Sequence, residues 1–239
     1  MKALYRHSLD DAKHNDDIAS WRESHNENIR CRDFFDNEIR EKFDGYTLPK
    51  DCVNNTVKEF GYDRTMWVIA NTINERTHDG RICRENRDWA SGLRIPNNRN
   101  NCDFVLNAHS CLIEGLANQV QRMYNEIGLF NGKHIVKSSE PQNYAGKLLI
   151  LRDCVLKEEC RVPENQLFLA RGGFGCDPTA SGRKIFGQFL SDGEQTHFMR
   201  SDFVGVIADE HIPQWAKEKL EQISEQKNES QTAAPTLNM

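Results

Sequence analysis

Two periodicities divide the chain. Up to about residue 130 the apolar positions recur three or four apart, the spacing of a helix with one buried face. Ile29, Phe35, Ile39 and Phe43 mark a long helix over about 18–43, with arginines and acids interleaved on its other faces. Gly45 stops it, and Pro49 and Asp51 open a second helix carrying Val53, Val57 and Phe60. Gly61 separates that helix from a third over 63–74. There Met66, Trp67, Ile69, Ala70 and Ile73 cover so much of the circumference that this helix is predicted to be the buried centre of the half, with Trp67 in the core. Leu112, Leu116, Val120, Met123 and Ile127 predict a fourth long helix over 104–128, ended by Gly128. A short helix precedes them all at 5–14, where Ser8 can cap and Asp10 and Asp11 suit the first turn.

After Gly146 the period switches to two. Segments 147–152, 166–170, 183–190, 196–200 and 203–207 read as strands punctuated by Pro, Gly and Asp-Gly. Residues 191–194, Ser-Asp-Gly-Glu, predict a type I′ hairpin with positive φ at Asp192 and Gly193. Five short strands within about sixty residues suggest a small antiparallel barrel or a strongly curved sheet. A helix at 215–223 packs back, and the lack of periodicity from Lys227 predicts a disordered tail. The fold class is therefore α+β. A helical N-terminal half (1–130) and a linker (131–146) precede a small antiparallel β-rich, barrel-like domain with its C-terminal helix (147–226) and the tail (227–239).

Composition narrows the function classes. At 239 residues the chain can bury a substantial core, yet no apolar run approaches the roughly 20 residues that span a bilayer. The first residues lack the apolar stretch of a secretory signal, so a cytoplasmic protein without membrane partners is expected. Its eight cysteines then read as reduced thiols, and none forms a CxxC pair. No metal site and no cofactor are expected. A net charge of −5 argues against a general nucleic-acid coat and is too mild for a DNA mimic.

The charge is unevenly placed. Between Arg76 and Asn101 six arginines (76, 81, 84, 87, 94 and 99) face three acids, Asp79, Glu85 and Asp88. Trp89 lies among them, and Asn97, Asn98, Asn100 and Asn101 follow Pro96. Such a stretch can be a solvated, turn-rich connection with one helical turn at 85–90. It can also be an anion-binding surface, since guanidinium forks suit phosphate and an exposed indole can stack a base. Arg81, Arg84, Arg87 and Trp89, with Arg183 from the second half, are the candidate ligand-binding residues. Their partner would be nucleic acid or a nucleotide-like anion.

An enzymatic alternative uses Cys176 as nucleophile, His197 as base and Glu194 or Asp192 as orienter, in a site between the two halves with Arg183. Gly172-Gly173-Phe174-Gly175 is no phosphate loop, because neither GK[ST] nor a helix pattern follows. Glycines at a bend between strands account for it. His109 and Glu114, five apart, are too far along a helix to form a HExxH-like ligand pair.

Several motifs resemble one family. They are YRHS with SHxxNxxCR and FDG in the first fifty residues, then FGYDRxxWVxAN, GRxxREN and WA. Later come PENQLFLARGGFGC, ASGR and DGEQ. Together they resemble an uncharacterised domain-of-unknown-function family encoded on conjugative and other mobile elements of gut Firmicutes, along almost the whole chain to Lys219. The resemblance implies context only: a bacterial accessory binding protein of a mobile element, whose roles include nucleic-acid handling, host-defence evasion and regulation. A host protein is a further possible partner, and a pure protein–protein interaction module the third alternative.

Overall fold

The structure, a computed structural model, describes residues 2–47 and 51–232, with side chains through residue 225. It divides into two compact units, residues 1–126 and 127–239. The first is helical and the second carries an antiparallel five-stranded sheet, so the chain is α+β.

In the helical unit, α1 (Leu9–His14) is closed by a capping box in which Ser8 Oγ accepts from the Asp11 N–H and Asp11 Oδ2 from the Ser8 N–H, each at 3.0 Å. The helix α2 (Ile18–Lys42) follows, and Gly45 beyond it takes a φ of 92°. Pro49 lies outside the described residues. The helix α3 (Asp51–Glu75) is broken at Gly61, whose φ of 82° and ψ of 166° fall in a region that glycine alone enters cheaply. Its second half is the buried centre, packed against α2, α4 (Arg84–Gly92) and α5 (Ser110–Glu126). Trp67 is 4% exposed there, among Phe35, Ile69, Ile73, Ile113 and Leu116.

The helix predicted from residue 104 begins only at Ser110. Residues 99–104 form a 3-10 turn, and the backbone of the residues after it is claimed by other elements. The Leu106 N–H donates to Thr72 Oγ1 (3.0 Å) and the Asn107 N–H to Asp36 Oδ1 (3.0 Å). The carbonyls of Leu106 and Ala108 accept from Arg76 at 2.6 and 2.7 Å. These bonds replace the helical ladder that the sequence pattern alone would extend.

The β unit has five strands: β1 (Leu148–Leu151), β2 (Leu167–Gly172), β3 (Lys184–Phe189), β4 (Gln195–Met199) and β5 (Phe203–Val206). Their order is β4-β3-β2-β1-β5, with every neighbouring pair antiparallel. In a flat sheet β4 and β5 would lie four strand spacings apart, about 19 Å. Instead the rings of Phe198 and Phe203 are 6.0 Å apart and both meet Phe168 of β2, and a 3-10 turn, Arg200–Asp202, joins the two strands. The sheet is therefore strongly curled around an aromatic core.

Its other face, over β1, β2 and β5, carries a second apolar layer. There Leu148, Ile150, Leu167, Leu169 and Ile207 meet Trp215, Ala216, Leu220 and Ile223 of α6 (Gln214–Thr232). That helix runs past residue 223 and takes in 227–232, expected to be without structure. No Pro or Gly interrupts that stretch. Residues 233–239 lie outside the described residues. At the β3–β4 hairpin Gly193 alone has a positive φ (79°), so the turn is not type I′. The Gly193 N–H donates to the Phe189 carbonyl, and the Phe189 N–H to that of Glu194, each at 3.0 Å, closing a longer loop with one left-handed residue.

Candidate functional site

The arginine-rich segment 76–101 folds as a wall of the helical unit, and three of its six guanidinium groups, those of Arg76, Arg81 and Arg87, are tied to neighbouring groups of that unit. Arg76 holds the 106–108 backbone, as above. Arg81 forks onto Asp79 through Nε (2.7 Å) and Nη2 (2.6 Å), and its Nη1 donates to His109 Nε2 at 2.6 Å. Ser110 Oγ donates to the same carboxylate at 2.5 Å. The Arg81 and Ser110 hydrogen bonds hold the Asp79 carboxyl well below the usual carboxylate range. This cluster ties the 76–82 turn to the start of α5.

Arg87 closes the same turn from the other side, donating to the carbonyls of Ile82 (2.6 Å) and Thr77 (3.1 Å). Trp89 is half-buried against the helical core rather than presented for stacking. Arg84 is exposed, 3.6 Å from Asp88. Of the predicted ligand-binding residues in this segment, only Arg84 keeps a largely uncommitted guanidinium. Arg183 belongs to the β unit, exposed at the entry to β3.

Beside these structural arginines lies a pocket of 280 Å3. The C-terminal end of α3 supplies Asn71, Asn74 and Glu75, and the following turn Thr77. The end of α4 supplies Ser91, and the chain beyond it Arg94, Ile95, Asn97 and Asn101. Eight of these nine side chains are polar, an unusual lining for a cavity that could have been closed with apolar groups.

Two features of this lining are costly without a ligand. The first is Asn71, 1% exposed. Its Nδ2 donates to the Asn101 carbonyl (2.9 Å), which fixes the orientation of the amide, and its Oδ1 has no partner. A buried carbonyl oxygen without a donor costs about 1–3 kcal/mol. The second is Arg94. The helix α4 ends at Gly92 with Leu93 as its cap, and the left-handed residue that follows is not a glycine but Arg94 (φ 52°). Glycine is the usual occupant of that position, and an L side chain there costs about 1–2 kcal/mol. The Arg94 side chain is exposed and, among the described residues, has no hydrogen bond or ion pair.

The sequence named Arg94 and the four asparagines only as part of a polar stretch, and it missed Asn71, Asn74, Glu75, Thr77 and Ser91. One signal was present: Asn71 interrupts the apolar run Met66–Ala70 on the most buried helix, where an amide must be satisfied or used.

The enzymatic alternative is not assembled. Cys176 is 3% exposed and packs with Leu149, Phe168, Ala170 and Ile185 on the inner face of the curled sheet. Burial pushes its thiol up, the reverse of an activated nucleophile. His197 is exposed on the opposite face, across from Phe186, and Glu194 sits at the hairpin. Among the described residues no three His, Cys, Asp or Glu side chains gather to hold a metal ion, and no helix is long and apolar enough to cross a membrane. A larger cleft of 650 Å3 in the β unit is lined by Ile135, Leu148, Ile207 and Leu220 together with Lys133, Lys137, Lys147, Asp209, Glu210 and His211.

No curated protein and no solved structure matches the chain significantly. One family does, over residues 4–125, the helical unit with this pocket; the glycine-rich motifs of the β unit lie outside the match. By that match the chain belongs to the family described as "Protein of unknown function (DUF3849)".

Proposed function

We propose that the helical unit is a binding module for a small hydroxyl-bearing anion, a sugar phosphate such as the ribose-phosphate part of a nucleotide. The observation that carries this reading is the unpartnered, buried Asn71 Oδ1 in a polar pocket whose exposed end holds an uncommitted Arg94. The inner wall accepts hydrogen bonds: Asn71 Oδ1, the Glu75 carboxylate and the C-terminal ends of α3 and α4, whose dipoles are negative. A hydroxyl edge satisfies such a wall, and a bare phosphate does not. Arg94 is then placed to take the phosphate at the mouth through a charge-assisted fork. No ring lines the pocket, so a base would remain outside it. The anionic partner of the arginine-rich segment is thereby assigned to Arg94 and Arg84 rather than to Arg81 and Arg87.

The motif resemblance supports a setting for this module: a bacterial, cytoplasmic accessory protein of a mobile genetic element. It carries no chemistry of its own.

A thermal-shift series tests the ligand class. Ribose 5-phosphate and nucleoside monophosphates are expected to raise the melting temperature, and inorganic phosphate alone is not. A rise with a free amino acid and none with sugar phosphates would reassign the pocket to a zwitterion. No rise with any of them would remove the reading.

A further inference from the structure

The β unit leaves half of one sheet face uncovered. Over β1, β2 and β5 that face lies beneath α6, but over β3 and β4 its outward residues meet no apolar layer. Direct cross-strand partners share a face, so Gln188 and Gln195 follow Leu169, and Phe186 and His197, then Lys184 and Met199, stand beside them. The exposures are large: 51% for Phe186 and 41% for Met199, with the Phe186 and His197 rings 5.5 Å apart. None of the six outward positions is acidic. Arg171, at the bulge of β2, donates to Gln188 Oε1 and adds a cation to the same face.

The Gly-Gly-Phe-Gly loop completes this surface. A Cβ on Gly173 would lie 2.6 Å from the Lys184 carbonyl oxygen and 3.0 Å from the Phe186 ring. One on Gly175 would lie 2.2 Å from the Arg183 carbonyl oxygen, and one on Gly182 2.5 Å from Phe174 Cβ. The glycines let the loop lie directly on the start of β3, with Gly173 against the Phe186 ring and Phe174, the next residue, against Gly182 with 79% of its surface exposed. Arg183 and Lys184 at the same place are exposed and, among the described residues, form no ion pair. Three rings, a methionine and three cations without an outward carboxylate suit flat, stackable groups strung on an anionic backbone.

We propose that Phe174, Phe186, His197 and Met199, flanked by Arg171, Arg183 and Lys184, form a docking surface for single-stranded nucleic acid. The rings stack bases and the cations follow the phosphates. The surface is separate from the pocket of the helical unit.

The test is fluorescence anisotropy of the full chain with labelled oligo(dT) and oligo(U) of about 12 nucleotides at low salt. Phe174→Ala and Phe186→Ala are each expected to weaken binding about tenfold, and Lys184→Glu to weaken it most at low salt, flattening the salt dependence. Both rings are exposed, so the variants should melt like wild type. Excess ribose 5-phosphate should leave the oligonucleotide bound; its displacement would place the binding in the pocket of the helical unit and overturn the proposal. Absence of wild-type binding, or equal affinity once both rings are removed, would overturn it as well. So would a sedimentation result in which ring removal abolishes self-association while oligonucleotide binding is missing, since the face would then meet a second copy.

Discussion

Trp67→Ala is expected to lower stability by about 3–5 kcal/mol. The indole is 4% exposed at the centre of the helical core, and the Arg6 guanidinium lies over it, 5.7 Å from the ring centroid. Removing it forfeits the burial of the indole and opens a cavity toward Tyr5, Trp21, His25, Ile95 and Phe104, which line a small pocket with it. Since one kcal/mol moves the midpoint of a chain this size by about 2–4 °C, the melting temperature should fall by roughly 10 °C. Far-ultraviolet circular dichroism during heating reads the effect directly. A midpoint equal to that of wild type would mean that α3 turns a different face to the core.

Gly187→Ala probes the β unit in the same way. A Cβ on Gly187 would stand 2.2 Å from the Leu169 carbonyl oxygen and 2.6 Å from Phe168 Cε1. Neither neighbour can give way. The carbonyl belongs to the β2–β3 ladder, and Phe168 is fully buried among Phe189, Phe198 and Phe203. A single methyl group therefore separates β3 from β2, at a cost of about 3 kcal/mol. Urea unfolding should show a lower midpoint with an unchanged slope. A midpoint equal to wild type would contradict the pairing of Ala170 with Gly187.

Much of the fold could be read from the sequence because its signals are local. Alternation alone places all five strands within two residues of their ends, and the apolar stripes and glycine stops place most helix ends as closely. The errors come from partners distant in sequence. Thr72, Asp36 and Arg76 hold the chain at 106–108 away from the helix that its own residues favour. The candidate site was harder to read for the same reason. Six arginines in a polar stretch look alike until Arg76 and Arg87 are seen donating to backbone carbonyls and Arg81 to Asp79. Arg94 differs by its backbone angle and its lack of a partner, and composition shows neither. Cys176 and His197 are 21 positions apart, but Cys176 packs from a 3-10 turn onto the inner face of the sheet, whereas the pairing of β3 with β4 puts His197 beside Phe186 on the outer face.

The central claim is that Arg94 keeps an unfavourable backbone conformation because its side chain holds a ligand in the Asn71 pocket. Calorimetric titration of ribose 5-phosphate into wild type and Arg94→Gly tests it most directly. Glycine relieves the left-handed strain, so the variant should melt no lower than wild type and gain up to about 1 kcal/mol. Its affinity should fall about tenfold or more with the loss of a charge-assisted hydrogen bond. A variant that binds as tightly as wild type, or a wild type that releases no heat of binding, would contradict the claim.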